Sequence, residues 1–365
     1  MGFNCGIVGL PNVGKSTIFN AMTAAKATAS NYPFCTIEPN VGMVMVRDER
    51  LTKIAELVKP EKILPTAVEF VDIAGLVRGA SSGEGLGNKF LGHIRSVDTI
   101  VHIVRCFVDD NVTHVDGRVD PKSDIETINT ELLIADLEAI DRRIPKTEKT
   151  SKSPTAEGKA AKVELEALLA VKAHLGDGLP ARLLDVEVLE ALSELNLLTA
   201  KPVIYVANVG EDEILSGSDG SREVEEFAKA ESAGFVMICG GIEAELAELE
   251  EAERVVFLED MGIKESGIDL LAFEAHKLLG LITYFTAGVK EVRAWTVRGG
   301  AMAPEAAGVI HTDFEKGFIK AEVMGYDDYI ECGSEAACKE RGLLRIEGKE
   351  YTVKDGDIMH FRFAN

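Results

Sequence analysis

The sequence predicts an α/β fold: a mostly parallel, doubly wound sheet, interrupted by inserted helices and followed by a small mixed-sheet unit. Three observations carry that expectation. Apolar runs of strand length alternate with helical periodicity through most of the chain. Residues 9 to 16 read Gly-Leu-Pro-Asn-Val-Gly-Lys-Ser between an apolar run and a helical start. From about Ile282 the pattern changes to short alternating stretches separated by turn residues.

The first strand is the run Cys5 to Val8, and the glycine-rich stretch after it has the form GxxxxGKS in the strand-to-helix context such a loop needs. Its glycines let successive backbone N–H groups curl round a phosphate, and the N-terminus of the following helix adds its dipole. In loops of this form the lysine, here Lys15, reaches the β- and γ-phosphate oxygens, and the hydroxyl, here Ser16, ligates Mg²⁺. The loop 29–40 falls where a first switch belongs. Within it Thr36 would close over the γ-phosphate and complete the metal shell, or is simply a turn residue.

Strand-like runs at Val41 to Val46 and Ala67 to Val71 come next, the second leading into Asp72-Ile73-Ala74-Gly75. A DxxG downstream of a phosphate loop assigns Asp72 to Mg²⁺ through water and the Gly75 N–H to the γ-phosphate. Leu76 to Asn88 is too rich in glycine to be rigid without a ligand and reads as a second switch. Leu76 stands where many GTPases carry a water-orienting glutamine. A leucine cannot hydrogen-bond water, so hydrolysis needs another group, a cation or a partner. His114, in the loop after the strand Thr99 to Val104, is one candidate, the alternative being an exposed loop histidine. Asn12 as a K⁺ ligand is a second.

Apolar residues at helical spacing then run from Ile125 to Ile144, from about Ala156 to Leu175, and from about Asp185 to Leu198, with a polar hinge over Pro145 to Gly158. This predicts an inserted antiparallel hairpin. Arg142, Arg143, Lys146, Lys149, Lys152, Lys159 and Lys162 cluster near its tip, which would dock on RNA phosphate or is a solvated end. The strand Val203 to Ala207 ends in Asn208-Val209-Gly210-Glu211, where a guanine-specific GTPase carries NKxD. Glu211 is one methylene longer than aspartate and Val209 replaces the lysine whose stem covers the base, so guanine selection is expected to weaken and adenine to become acceptable. After the strand Phe235 to Ile238, helical patterns cover Glu243 to Leu258 and Gly267 to Leu281; the glutamates from Glu243 to Glu253 are expected on a solvated face. In the end unit the strand-like stretches are Val292 to Val297, Ala307 to Ile310, Phe318 to Val323 and Tyr351 to Phe363, with no catalytic constellation.

Composition narrows the class. There is no long apolar run of the kind that spans a bilayer and no basic-then-apolar leader, so the expected location is the cytoplasm, with no membrane partner. The six cysteines are scattered without CxxC pairs and read as reduced thiols. A net charge of -22 argues against non-specific coating of nucleic acid, and DNA is not an expected partner.

Taken together, the motifs at 9–16, 31–40, 71–77 and 208–211, with Thr283 to Trp295 and Ile310 to Phe318, resemble the YchF-type, Obg-related P-loop NTPases over essentially the whole chain. The resemblance implies a P-loop G domain (1–125 and 200–280), an inserted α-helical coiled-coil hairpin (126–199) and a C-terminal TGS domain of ubiquitin-like β-grasp fold (281–365). It further implies a slow ATPase associated with the ribosome, its RNA and its proteins. Carried over by position, Asn12, Val13, Gly14, Lys15, Ser16 and Thr17 would bind phosphates, Ser16 and Thr36 Mg²⁺, and Asn208 with Val209 the base. His114 matches the histidine proposed in this family for hydrolysis. The alternatives are a conventional GTPase that tolerates Glu211, and a non-hydrolytic scaffold that nucleotide merely rigidifies.

Overall fold

The protein is seen here as a computed structural model that describes residues 3–24, 40–73, 86–109 and 118–364. The first stretch of chain gives Asn4–Val8 (β1), Lys15–Ala24 (α1), Val41–Val46 (β2), Glu49–Val58 (α2), Lys62–Leu64 (β3), Thr66–Asp72 (β4), Leu86–Ser96 (α3) and Thr99–Arg105 (β5). Two long helices follow, Pro121–Ser151 (α4) and Ala156–Gly176 (α5), then a short one, Val186–Glu190 (α6). The chain returns through Val203–Asn208 (β6), Asp219–Ala230 (α7), Gly234–Ile238 (β7), Gly240–Glu248 (α8), Glu251–Asp260 (α9) and Gly267–Leu278 (α10). The C-terminal part contains Leu281–Ala287 (β8), Glu291–Arg298 (β9), Ala303–Ile310 (α11), Thr312–Lys316 (α12), Phe318–Met324 (β10), Tyr326–Cys332 (α13), Glu335–Glu340 (α14), Arg345–Glu347 (β11) and Ile358–Phe363 (β12).

The first sheet has the order β2-β4-β1-β5-β6-β7. Every pairing in it is parallel except β2 with β4. Strands β5 and β6 are buried along their whole length, as strands covered by helices on both faces must be. Strand β1 lies between β4 and β5, so the chain order reverses across it and a crevice opens at the carboxyl ends of these strands. The expected doubly wound, mostly parallel sheet is what forms.

Helix α4 serves two cores. Ile125, Ile128, Leu132 and Ala135 belong to the core of the first sheet, whereas Leu133 and Ile140 pack with Leu168, Val171 and Leu175 of α5 in a separate cluster. The helix runs straight through Pro145 to Ser151, so the hinge is shorter than Pro145 to Gly158. Pro145 is exposed, and water can take the carbonyl that its missing N–H leaves free. The third helical pattern, Asp185 to Leu198, is broken into α6 and a 3₁₀ turn at Ser193–Leu195 that ends on left-handed Asn196. At the hairpin root, Asp136 accepts from the backbone N–H groups of Leu198 (2.9 Å) and Thr199 (2.8 Å), fixing the return into β6. Beside it Tyr205 donates to Glu231 at 2.8 Å and receives Asn129 at 3.2 Å, and Arg182 pairs with the same Glu231.

The second sheet has the order β11-β10-β12-β8-β9-β3. The first strand of the C-terminal unit, β8, and the last, β12, run parallel at its centre, with α11 packed across through Tyr284, whose hydroxyl donates to the Ala306 carbonyl at 2.8 Å. This is a β-grasp arrangement. Ala307 to Ile310, read as strand-like, is the end of helix α11: Met302 stands outside its N-terminus, Pro304 opens it, and Glu305 reaches back to the Met302 N–H at 2.7 Å. The sheet's edge comes from far away in sequence. Strand β3 pairs in parallel with β9 (Ile63 opposite Val292), and Leu51 and Ile54 of α2 pack with Phe285, Val292 and Ile358. Arg50 completes the join, bonding Asp355 at 2.6 Å and lying 5.3 Å over the Phe285 ring.

Glu243 is a further difference. It is buried and accepts the Gly267 N–H at 2.6 Å, joining α8 to the start of α10 rather than facing solvent. Burial pushes its carboxyl up to about 7, against the backbone bonds from Gly267 and Ile268 that pull it down.

Candidate nucleotide site

The site is built from the carboxyl ends of β1, β4, β5, β6 and β7. The loop after β1 must turn sharply and expose its backbone, and two residues take the left-handed region to do so: Asn12 at φ 63° and Gly14 at φ 89°. At Gly14 a Cβ is excluded twice over, by the backbone angle and by the Asn208 amide nitrogen, which would lie 2.1 Å away. Helix α1 then starts, its first turn free of acidic side chains and the Ile18 N–H closing onto the Gly14 carbonyl at 3.1 Å. Its amino end is therefore set up for an anion. Ser16 and Thr17 are exposed there, while Val13 is buried and anchors the loop.

Two sequence-predicted residues meet directly. Lys15, at the end of the GKS loop, is ion-paired with Asp72, the last residue of β4. Strand pairing explains the encounter, since Ile7 of β1 is opposite Asp72 in register. Thr36, Gly75, Leu76 and His114 lie outside the described residues.

The base motif is packed against the same loop. Asn208 is 2 % exposed, and its amide is used at both ends: it donates to the Val13 carbonyl at 2.8 Å and accepts the Gly240 N–H at 3.0 Å. It thereby ties the phosphate loop to the β7–α8 junction. Val209 is also buried, so it offers no stem across a base, whereas Glu211 is exposed, with Oε1 3.1 Å from where a Cβ on Gly241 would be. Burial, with a smaller contribution from the Glu211 carboxylate, raises the pKa of the Cys239 thiol beside it. The Asn208, Glu211 and Cys239 to Gly241 stretches thus form one wall.

Arg105 was not legible as a site residue. It ends β5, is 1 % exposed, and its guanidinium bonds the carbonyls of Phe107 (3.2 Å), Asn12 (3.4 Å) and Asp109 (3.4 Å), with the Phe107 ring centroid 4.4 Å away. An arginine closing an apolar strand looks like a surface residue in sequence; only the fold shows it holding the strained Asn12 in place. Arg105→Met is expected to weaken ATP binding about tenfold and to destabilise the fold by about 1–3 kcal/mol, because three partly buried carbonyls lose a charged donor. Arg105→Lys should not rescue it, as one ammonium cannot span that fork. Calorimetric titration and urea unfolding check both; wild-type affinity in the methionine variant would remove the assignment.

A family model described as "50S ribosome-binding GTPase" matches residues 4–155, and a second, YchF-GTPase_C, described as "Protein of unknown function (DUF933)", matches residues 281–364. The chain is 54% identical to the "Ribosome-binding ATPase YchF" of Bacillus subtilis, covering 100% of both chains. To the Haemophilus influenzae protein of that name it is 56% identical, over 100% of this chain and 99% of the other. Among solved structures, the Schizosaccharomyces pombe YchF GTPase superposes with a TM-score of 0.90 at 39% identity, covering 99% of this chain and 98% of that one. A GTP binding protein from Pyrococcus horikoshii, at 19% identity and TM-score 0.58, shares the fold. With relatives this similar along their entire length, the chain belongs to the YchF family.

Proposed function

We propose that the protein is a Mg²⁺-dependent P-loop ATPase that acts as a ribosome-associated switch in the cytoplasm. The observation that supports it most is the contact between Lys15 and Asp72, which joins the GKS loop to the DxxG strand at one point of the crevice. Asn12, Val13, Gly14, Lys15, Ser16 and Thr17 would hold the phosphates by backbone N–H groups and the Lys15 ammonium, and the Gly75 N–H would report the γ-phosphate. Ser16, Thr36 and Asp72 are hard oxygen donors of the type Mg²⁺ takes, and the carboxylate already lies at the loop, so the residues fit that ion. When bound, Mg²⁺ supplies charge neutralisation on the phosphate oxygens. Asn208, Val209 and Glu211 would line the base. His114 would orient the attacking water in place of Leu76, with K⁺ at Asn12 as the other route to stimulation.

Ribosome docking rests on the relatives' printed name and on the hairpin end, where Arg142, Lys146, Lys149, Lys152, Lys159 and Lys162 are exposed. Such a cationic end suits RNA phosphate, with salt-dependent affinity. A second reading, GTP preference, is favoured by the printed title of the fission yeast structure, which names a GTPase. Side-by-side calorimetric titration with MgATP and MgGTP separates the two. Preference for ATP by about tenfold or more, or about 1.4 kcal/mol, is expected, because an exposed glutamate and a buried valine do not rebuild the guanine contacts. Equal or tighter GTP binding would overturn the ATP assignment.

A further inference from the structure

We propose that Cys332 and Cys338, in the C-terminal unit, form a peroxide-reactive dithiol that a hydroperoxide converts into an intramolecular disulfide. Cys332 is the last residue of α13; Gly333, at φ 78°, turns the chain, and Ser334 caps α14, in which Cys338 is the fourth residue. The tight turn brings both side chains to one place. Cys338 is fully buried in the cluster that joins α2 to the second sheet, and the half-buried Cys332 packs against that cluster. The Cys338 thiol donates to the Asp328 carbonyl at 3.7 Å, and its side chain is within hydrogen-bonding contact of Cys332.

The two sulfurs differ in surroundings. Arg341, three residues beyond Cys338, places one guanidinium nitrogen 3.4 Å from the Cys332 sulfur, while its other nitrogen is held at 2.6 Å by Glu331. A half-exposed sulfur with a guanidinium fixed against it is the one of the two that peroxide can reach, in the electropositive, partly open setting typical of reactive cysteines. Burial, with the contact to Cys332 and the charge of Asp328, pushes the Cys338 thiol up to about 11 against the opposing pull of Arg341, so it keeps its proton. Cys332 is therefore the attacking group and Cys338 the resolving one. The Cys332 thiolate attacks one oxygen of hydrogen peroxide, the O–O bond breaks, and the departing hydroxide takes a proton to become water. The sulfenic acid left on Cys332 is then attacked by the Cys338 sulfur: the S–O bond breaks, the S–S bond forms, and the Cys338 proton leaves with the hydroxyl as a second water. Both thiols are oxidised and one peroxide is reduced.

The test uses the full-length protein exposed to dilute hydrogen peroxide, quenched with iodoacetamide under denaturing conditions, digested with trypsin and read by mass spectrometry. Both cysteines fall in one tryptic peptide, because the flanking cleavage sites are Lys320 and Lys339. That peptide is expected to become two hydrogens lighter and to lose both alkyl groups, at least about tenfold faster than Cys106 and Cys239 are oxidised. Dithiothreitol should restore both sites. In Cys338→Ser, Cys332 should accumulate as a dimedone-trapped sulfenic acid; in Cys332→Ser, Cys338 should stay alkylatable. The proposal falls if the wild-type peptide remains doubly alkylated once Cys106 and Cys239 are oxidised, or if Cys332 goes to sulfinic acid while Cys338 stays free. None of these readouts depends on nucleotide hydrolysis.

Discussion

Lys15→Ala is expected to lower single-turnover ATP hydrolysis by at least about a hundredfold while leaving the unfolding transition nearly unchanged. On the proposed reading the ammonium would be the fixed positive charge where negative charge develops on the transferred phosphoryl group, and the helix dipole and backbone N–H groups cannot replace a full charge. The folded state loses little. The Asp72 side chain is 25% exposed, so water can take over from Lys15, and a partly exposed pair is worth no more than about 1 kcal/mol. Phosphate release measured in a single turnover, beside a thermal melt by circular dichroism, separates the two effects. Turnover at the wild-type rate would remove the phosphate-loop assignment altogether.

The second large effect is expected at Asn208. Truncation to alanine strips a donor from the Val13 carbonyl and an acceptor from the Gly240 N–H, both inside a site from which the side chain excludes water. Each stranded group costs about 1–3 kcal/mol, so the fold should lose about 2–5 kcal/mol in urea unfolding. ATP affinity should fall about tenfold to a hundredfold, because the loop proposed to hold the phosphates is no longer fixed to the wall proposed to hold the base. Asn208→Asp is a sharper probe: it keeps an acceptor for Gly240 but sets an anion against the Val13 carbonyl, and it should be at least as damaging. An alanine variant that binds ATP as tightly as wild type would show that Asn208 is not the tie between the two halves of the site.

Where chemistry imposes local spacing, the sequence was readable. A phosphate loop needs its glycines, lysine and hydroxyl within one turn of chain, so Gly9 to Ser16 stood out, and the apolar runs β1, β4, β5, β6 and β7 announced a buried parallel sheet. What escaped depended on distant partners. Arg105 acts on backbone carbonyls, which have no signature in side-chain pattern. Glu243 looks like its neighbouring glutamates, and only the amino end of α10 arriving beside it makes it a buried acceptor. Strand β3 is three residues long, too short to show a period, and the apolar face of α2 says that it packs but not against what. The α11 segment was misread because four small or apolar residues at its end have no period of their own; the signal lay upstream, in Pro304 and Glu305.

The pairing of β3 with β9 also bears on how the molecule is made. A chain emerging from its amino end presents the side chains of Leu51 and Ile54 and the backbone of β3 more than two hundred residues before Val292 exists to receive them. The nucleotide-binding sheet can close once β7 has been synthesised, yet α2 must wait on its flank with its apolar face uncovered, and β3 with its strand edge unpaired, until almost the last residue. Truncation before β8 would leave that flank permanently bare, and a nascent chain stalled there is the form most prone to aggregate. The C-terminal sheet is thus the closing step of biosynthesis, finished by a strand that the ribosome delivered early.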